Sequence, residues 1–250
     1  MVHIRVAFFA VPAAIGIGMA VTACGGAPGT VKPSASATQS ASATASATAS
    51  GSTAASPAAT ASAVAVPAGY TRVGGAAQGI SIAAPTSWAA MNLAKETIAS
   101  AASKAGLSGI SAATLVQDMT SLQNLHAVIV YDVKDAVDSP NHVAPNLNAY
   151  CVNSGVTDVG AAGVPLIKTS AVAELGKLGA THITQQELEI GGVPGVETSY
   201  QVHSSSVGTI YGSQLEVLPK PEKLCFVTVT GNGESESSVV STAAATAQFP

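Results

Sequence analysis

The sequence predicts an α+β fold over residues 67–250: an antiparallel sheet flanked by helices, an α/β/α sandwich. Two observations carry this expectation. In the final third, apolar and polar residues alternate in runs separated by Gly- and Pro-rich turns, as antiparallel strands require. Segments with apolar residues at helical spacing precede these runs, and another closes the chain. About 180 residues suffice to bury one substantial core.

Residues 1–23 divide as an export signal. Arg5, with His3 nearby, supplies a short positive start. Residues 6–20 form an apolar run interrupted by Pro12, Gly16 and Gly18. That run is shorter than the roughly 20 residues that span a bilayer. Val21-Thr22-Ala23-Cys24-Gly25-Gly26 follows, and it resembles a bacterial lipobox. The resemblance implies diacylglyceryl transfer to the Cys24 thiol and cleavage between Ala23 and Cys24. Two or more acyl chains, at about 0.8 kcal/mol per buried CH2, make a stable anchor. The alternative is an ordinary secretory signal cleaved near Ala23 or Ala27, with Cys24 incidental.

Residues 24–66 are nearly all Ala, Ser, Thr, Gly and Pro after the cysteine, as in Ser34-Ala35-Ser36-Ala37-Thr38. With little to bury, such a segment cannot offset its ordering entropy, and a disordered tether is expected. Forty flexible residues span roughly 35 Å. Dense Ser and Thr beside Pro also invite O-glycosylation, and an unmodified tether fits equally well.

In the domain, residues 79–84 alternate as a strand ending at Pro85, with Trp88 just beyond. Met91, Ala94, Ile98, Ala101, Ala102 and Ala105 predict a helix over 91–105, closed by Gly106. A second helix is expected over 112–122 with Ser111 as N-cap. Residues 125–133 are apolar enough on both faces for a central strand, and 146–153 form another. A helix over 170–178 stops at Gly179. Strands follow at 181–190, 196–203, 209–218 and 224–230, with turns at 191–195, 206–208 and 219–222. A closing helix covers 235–247.

Some of these segments resemble the PsbP-like family, and in particular actinobacterial surface lipoproteins of the LpqN type. The resemblance lies in Gly79-Ile80-Ser81-Ile82-Ala83-Ala84-Pro85-Thr86-Ser87-Trp88, in Gly192-Val193-Pro194-Gly195, and in Leu224-Cys225-Phe226-Val227-Thr228-Val229. A last helix and terminal Gln248-Phe249 also fit. It covers about residues 69–250 and implies a non-enzymatic binding or assembly role.

Composition excludes some partners. Charged residues are 10% of the chain, the net charge is −4, and no Lys/Arg cluster occurs. A nucleic-acid surface is therefore not expected, nor electrostatic binding to anionic lipid headgroups. Cys151 and Cys225 both lie on expected strands of an exported domain, which allows either a disulfide or two buried thiols.

No cofactor or metal site is expected. His126, His142, His182 and His203 lack partners at i,i+3 or i,i+4, although His126 and His203 could approach each other in a sheet. Asp132, Asp135 and Asp138 suit a solvated turn better than a calcium loop. Glu187 and Glu189 share a strand face expected to meet solvent. Ser204-Ser205-Ser206 suits a turn. Gly231-Asn232-Gly233 lacks a nucleotide-binding context, and no nucleophile elbow or P-loop occurs.

The leading expectation is a lipid-anchored extracytoplasmic module at the cell membrane, binding an envelope protein, lipid or glycan without catalysis. An envelope hydrolase with a noncontiguous active site is the rival. A hydrophobic-ligand carrier, using an apolar cleft lined by residues 91–105, is the other alternative.

Overall fold

Alternation along the strands builds a seven-stranded antiparallel sheet with a core on each face. The structure, a computed structural model, describes residues 64–92, 120, 122–132, 134–135, 144–205, 208–233 and 236–250. Hairpin strands β1 (Tyr70–Gly75) and β2 (Ile80–Pro85) form a separate two-stranded sheet. The large sheet contains β3 (Ala89–Asn92), β4 (Val128–Tyr131), β5 (Asn146–Asn153), β6 (Thr181–Ile190), β7 (Val193–Ser204), β8 (Gly208–Lys220) and β9 (Lys223–Gly231). Its spatial order is β3-β4-β5-β9-β8-β7-β6. Helix α1 (Val164–Lys177) packs on one face; α2 (Ser237–Thr246) and the hairpin pack on the other. Among the described residues, α1, α2, the hairpin and the antiparallel sheet lie in three layers and form the expected α+β sandwich.

Strands β4, β5, β7, β8 and β9 each feed both cores. Along β4, Ile129 and Tyr131 enter the α1-side core while Val128 and Val130 enter the α2-side core. All four are buried, as the apolar run at 125–133 implies, although the strand is shorter and lies next to the edge strand β3. On the α2 side, Ile80 and Ile82 meet Val240, Ala243 and Leu147. Burying each such aliphatic side chain contributes about 1.5–3 kcal/mol. Trp88 packs half-buried at the edge of that core.

Local chemistry sets the connections. The α1 helix starts six residues before the expected 170, with Pro165 in its first turn, where a missing N–H costs nothing. It ends at Gly179, whose φ of +74° permits hydrogen bonds from Ala180 N to Leu175 O and from Gly179 N to Gly176 O, both 3.0 Å. The β6–β7 turn is tighter than expected. Ile190 pairs directly with Val193, and only Gly191 and Gly192 turn the chain, both at positive φ. Pro194 thus lies inside β7, beyond the residues paired with β8. Pro219 lies inside β8 as well, at a register shift between Val217 and Lys220 where its lack of an N–H is tolerated.

One difference concerns the start of the helix expected over 91–105. Met91 does not begin a helix; it pairs with Ile129 in β3, so strand pairing and burial override local helix preference. Residues 93–119 lie outside the described residues, with Gly106, Ser111 and most of both expected helices. Only Thr120 and residues 122–124 are described as helical, and Leu122 is buried in the α1-side core.

Candidate functional site

On the α1 side, five strands place polar residues in one row. The register aligns Asn148, Thr228, Gln214, Thr198 and Gln185 across β5, β9, β8, β7 and β6. Four of them are buried, so each needs a hydrogen-bonding partner. Thr228 Oγ1 donates to Gln214 Oε1 at 3.4 Å, and Gln214 Nε2 donates to Glu216 Oε1 at 2.7 Å. Gln185 Nε2 donates to Lys168 O at 2.9 Å and to Thr198 Oγ1 at 3.3 Å, tying β6 and β7 to α1.

Glu216 is the ionisable end of this network, and it is 1% exposed. Burial pushes its carboxyl up to about 7, only partly offset by the Gln214 hydrogen bond. Tyr150 and Tyr200 are both held above the usual phenol range, first by burial and then by the Glu216 charge. Tyr150 stacks on Phe226 with centroids 5.3 Å apart. Tyr200 lies over Gly212, where an added Cβ would collide with the phenol ring. This assembly is enclosed, and its hydrogen bonds join neighbouring strands and helix α1.

The opposite face carries a cavity of about 430 Å³ between β6–β8 and the first turn of α2. Period-two alternation puts His182 and Thr184 of β6 there, with Glu197, Ser199 and Gln201 of β7. Tyr211 and Ser213 come from β8. His182 has φ of +52° at a register irregularity between Thr181 and Thr184, and its Nδ1 lies 3.2 Å from Thr181 Oγ1. A bulge of this kind re-aims a side chain. Ser213 Oγ donates to Glu197 Oε1 at 2.6 Å and so fixes one carboxylate oxygen. The floor is buried, formed by Val229, Val240 and Glu236, whereas His182, Thr184 and Ser237 form an exposed rim. The Glu236 carboxylate lies over Gly231, a position that any Cβ would block. No Lys or Arg occurs among the described lining residues.

The expected site residues are scattered. Cys151 and Cys225 stand directly opposite one another on β5 and β9 and form a disulfide, which decides between the two readings of those cysteines. Gly79, at φ of +69°, lets the hairpin turn close on Cys151 and Lys223. His126 and His203 are not brought together: His126 precedes β4, and β5, β9 and β8 separate β4 from β7. Both are exposed. Glu187 and Glu189 are exposed as expected, and Glu187 pairs with Lys168 at 2.9 Å. Asp132 Oδ1 accepts from Asp135 N at 3.1 Å, a local turn. Ala23, Cys24, Asp138, His142 and Ser206 lie outside the described residues.

Among the described residues, no group of three or more His, Cys, Asp and Glu could hold a metal. No described helix is long and apolar enough to cross a membrane. Glu216 and the cavity residues Glu197, Tyr211 and Ser213 were not singled out by motif. The available signal for Glu216 was an acid inside the apolar run Leu215-Glu216-Val217-Leu218.

No protein-family model and no curated protein matches the chain. Among solved structures, it is similar to PsbP (CyanoP) from Synechocystis sp. PCC 6803, at 14% identity and a TM-score of 0.40, over 74% of this chain and 94% of that one. It is also similar to PA94, a protein of unknown function from Pseudomonas aeruginosa, at 12% identity and a TM-score of 0.33, over 43% and 74%. Likeness at these levels decides neither family nor activity.

Proposed function

We propose that this chain is an extracytoplasmic lipoprotein of the LpqN type, anchored through Cys24, whose PsbP-like domain works as a non-enzymatic binding module. The observation that carries the binding role is the cavity on the α2 face. Side chains from three strands converge there on a rigid sheet, above a buried floor. Residues 1–26 supply the reasoning for export and anchoring.

A hydrolase is the weaker reading. Ser213 is hydrogen-bonded to Glu197 rather than to an imidazole, and His182 contacts Thr181. The displaced carboxyl, Glu216, projects from the opposite sheet face and is shut away from the cavity. The polar lining also suits a hydrophilic ligand better than a lipid chain.

Membrane fractionation tests the anchoring half of this reading. The unaltered chain, produced in a bacterium with lipoprotein processing, is expected in the membrane fraction. Cys24→Ala is expected to leave that fraction while keeping its fold. Retention of Cys24→Ala in membranes at the unprocessed mass would make the apolar run at 6–20 the anchor instead. For the binding half, a crosslinker at Gln201 on intact cells is expected to capture material that one at Glu174, on α1, does not. Equal capture at both positions counts against the cavity.

A further inference from the structure

We propose that the cavity between β6–β8 and α2 binds a neutral, hydroxyl-rich ligand, a short segment of glycan. This rests on the reading of the domain as an extracytoplasmic binding module and names its ligand class. Its volume of about 430 Å³ falls within the roughly 300–1,000 Å³ that small-ligand sites occupy.

The lining chemistry narrows the class. The Glu197 carboxylate disfavours anions, and no Lys or Arg occurs among the described lining residues to offset it, so phosphates and carboxylates are disfavoured. The remaining polar groups are chiefly hydroxyls, with the Gln201 amide and the His182 imidazole. Such groups both donate and accept, as the alternating hydroxyls of a sugar demand. With one oxygen of Glu197 held by Ser213, the other is free to accept from a ligand hydroxyl. Charge-assisted hydrogen bonds of that kind are among the stronger ones. Val229 and Val240 supply an apolar floor for the C–H face of a ring.

The test titrates the full chain in detergent micelles with cellobiose, xylobiose, mannobiose and N,N′-diacetylchitobiose, followed by amide NMR shifts. At least one is expected to bind saturably and to move resonances of β6–β8 and the start of α2. Glu197→Gln is expected to weaken that binding at least tenfold. Ser199→Trp, which fills the cavity, is expected to abolish it, with unchanged amide dispersion showing that each variant folds. Binding of none of the four sugars overturns the proposal, as does binding that neither variant alters. Saturable binding of spermidine in place of the sugars also overturns it, because the site would then be a cation site. Membrane fractionation of Cys24→Ala is independent of this titration, so failure of the ligand class and failure of the anchoring are separately visible.

Discussion

Replacing Glu216 with Gln should make the domain more stable at alkaline pH. The wild-type carboxyl is 1% exposed and titrates near 7 instead of at its ordinary 4.5. Burial disfavours its charged form, so the folded chain holds the proton more tightly than the unfolded chain. Between about pH 4.5 and 7 the unfolded state has released that proton while the folded state retains it. Stability therefore falls as pH rises through this window and levels off above it. A displacement from 4.5 to about 7, at about 1.4 kcal/mol per tenfold change in proton affinity, amounts to about 3 kcal/mol. The introduced amide mimics the protonated acid, keeps an acceptor for Gln214 Nε2 and carries no titration.

Urea denaturation of the Cys24→Ala chain at pH 5 to 8 and constant ionic strength measures this directly. With equal m-values, the variant should exceed its parent by less than about 1 kcal/mol near pH 5 and by about 3 kcal/mol near pH 8. A variant less stable at pH 8, or one with an unchanged pH slope, would show that Glu216 is charged and specifically compensated in the folded protein.

Other perturbations test the frame around the site. Replacing Cys225 with Ala removes a bond that spans 74 residues, and by loop-closure entropy it should cost about 4 kcal/mol in denaturation under oxidising conditions. A loss below about 1 kcal/mol would mean that the β5–β9 pairing already constrains the unfolded chain. Gly191→Ala should cost about 1–3 kcal/mol, because the position has φ of +59° and a Cβ would strike the Ala247 carbonyl. Thermal melting is sufficient to see it. Gly192→Ala has the left-handed φ without the collision and should cost less.

Much of the strand pattern was legible in the sequence alone. The alternation at 181–190 matches β6, and residues 146–153 match β5. Gly179 and the Gly191-Gly192 pair punctuate because only their backbones enter the left-handed region cheaply. Several of the motif residues behind the resemblance prove to be packing features. Gly195 gives way to Ile190 and the Glu216 carbonyl, and Phe249 closes over Gly191. Gln248 exchanges two backbone hydrogen bonds with Ser81.

What was illegible depends on partners distant in sequence. Tyr70–Gly75 gives no clear period: none of its residues is buried, and its half-buried and exposed positions do not alternate. Ala89–Asn92 looks helical until Val128–Tyr131 pairs with it. The expected strand at 209–218 already puts Gln214 on the face of Glu216, but nothing near Glu216 announces that β7 and β9 flank it. The cavity, too, exists only once β6, β7 and β8 are adjacent in register.

The most direct measurement is the intact mass of the protein extracted from membranes. A chain beginning at Cys24 and carrying diacylglyceryl-sized additions, released from membranes by Cys24→Ala, is the expected result. A mass beginning at Met1, or a chain cleaved near Cys24 without lipid, would contradict the anchored display on which the binding role depends.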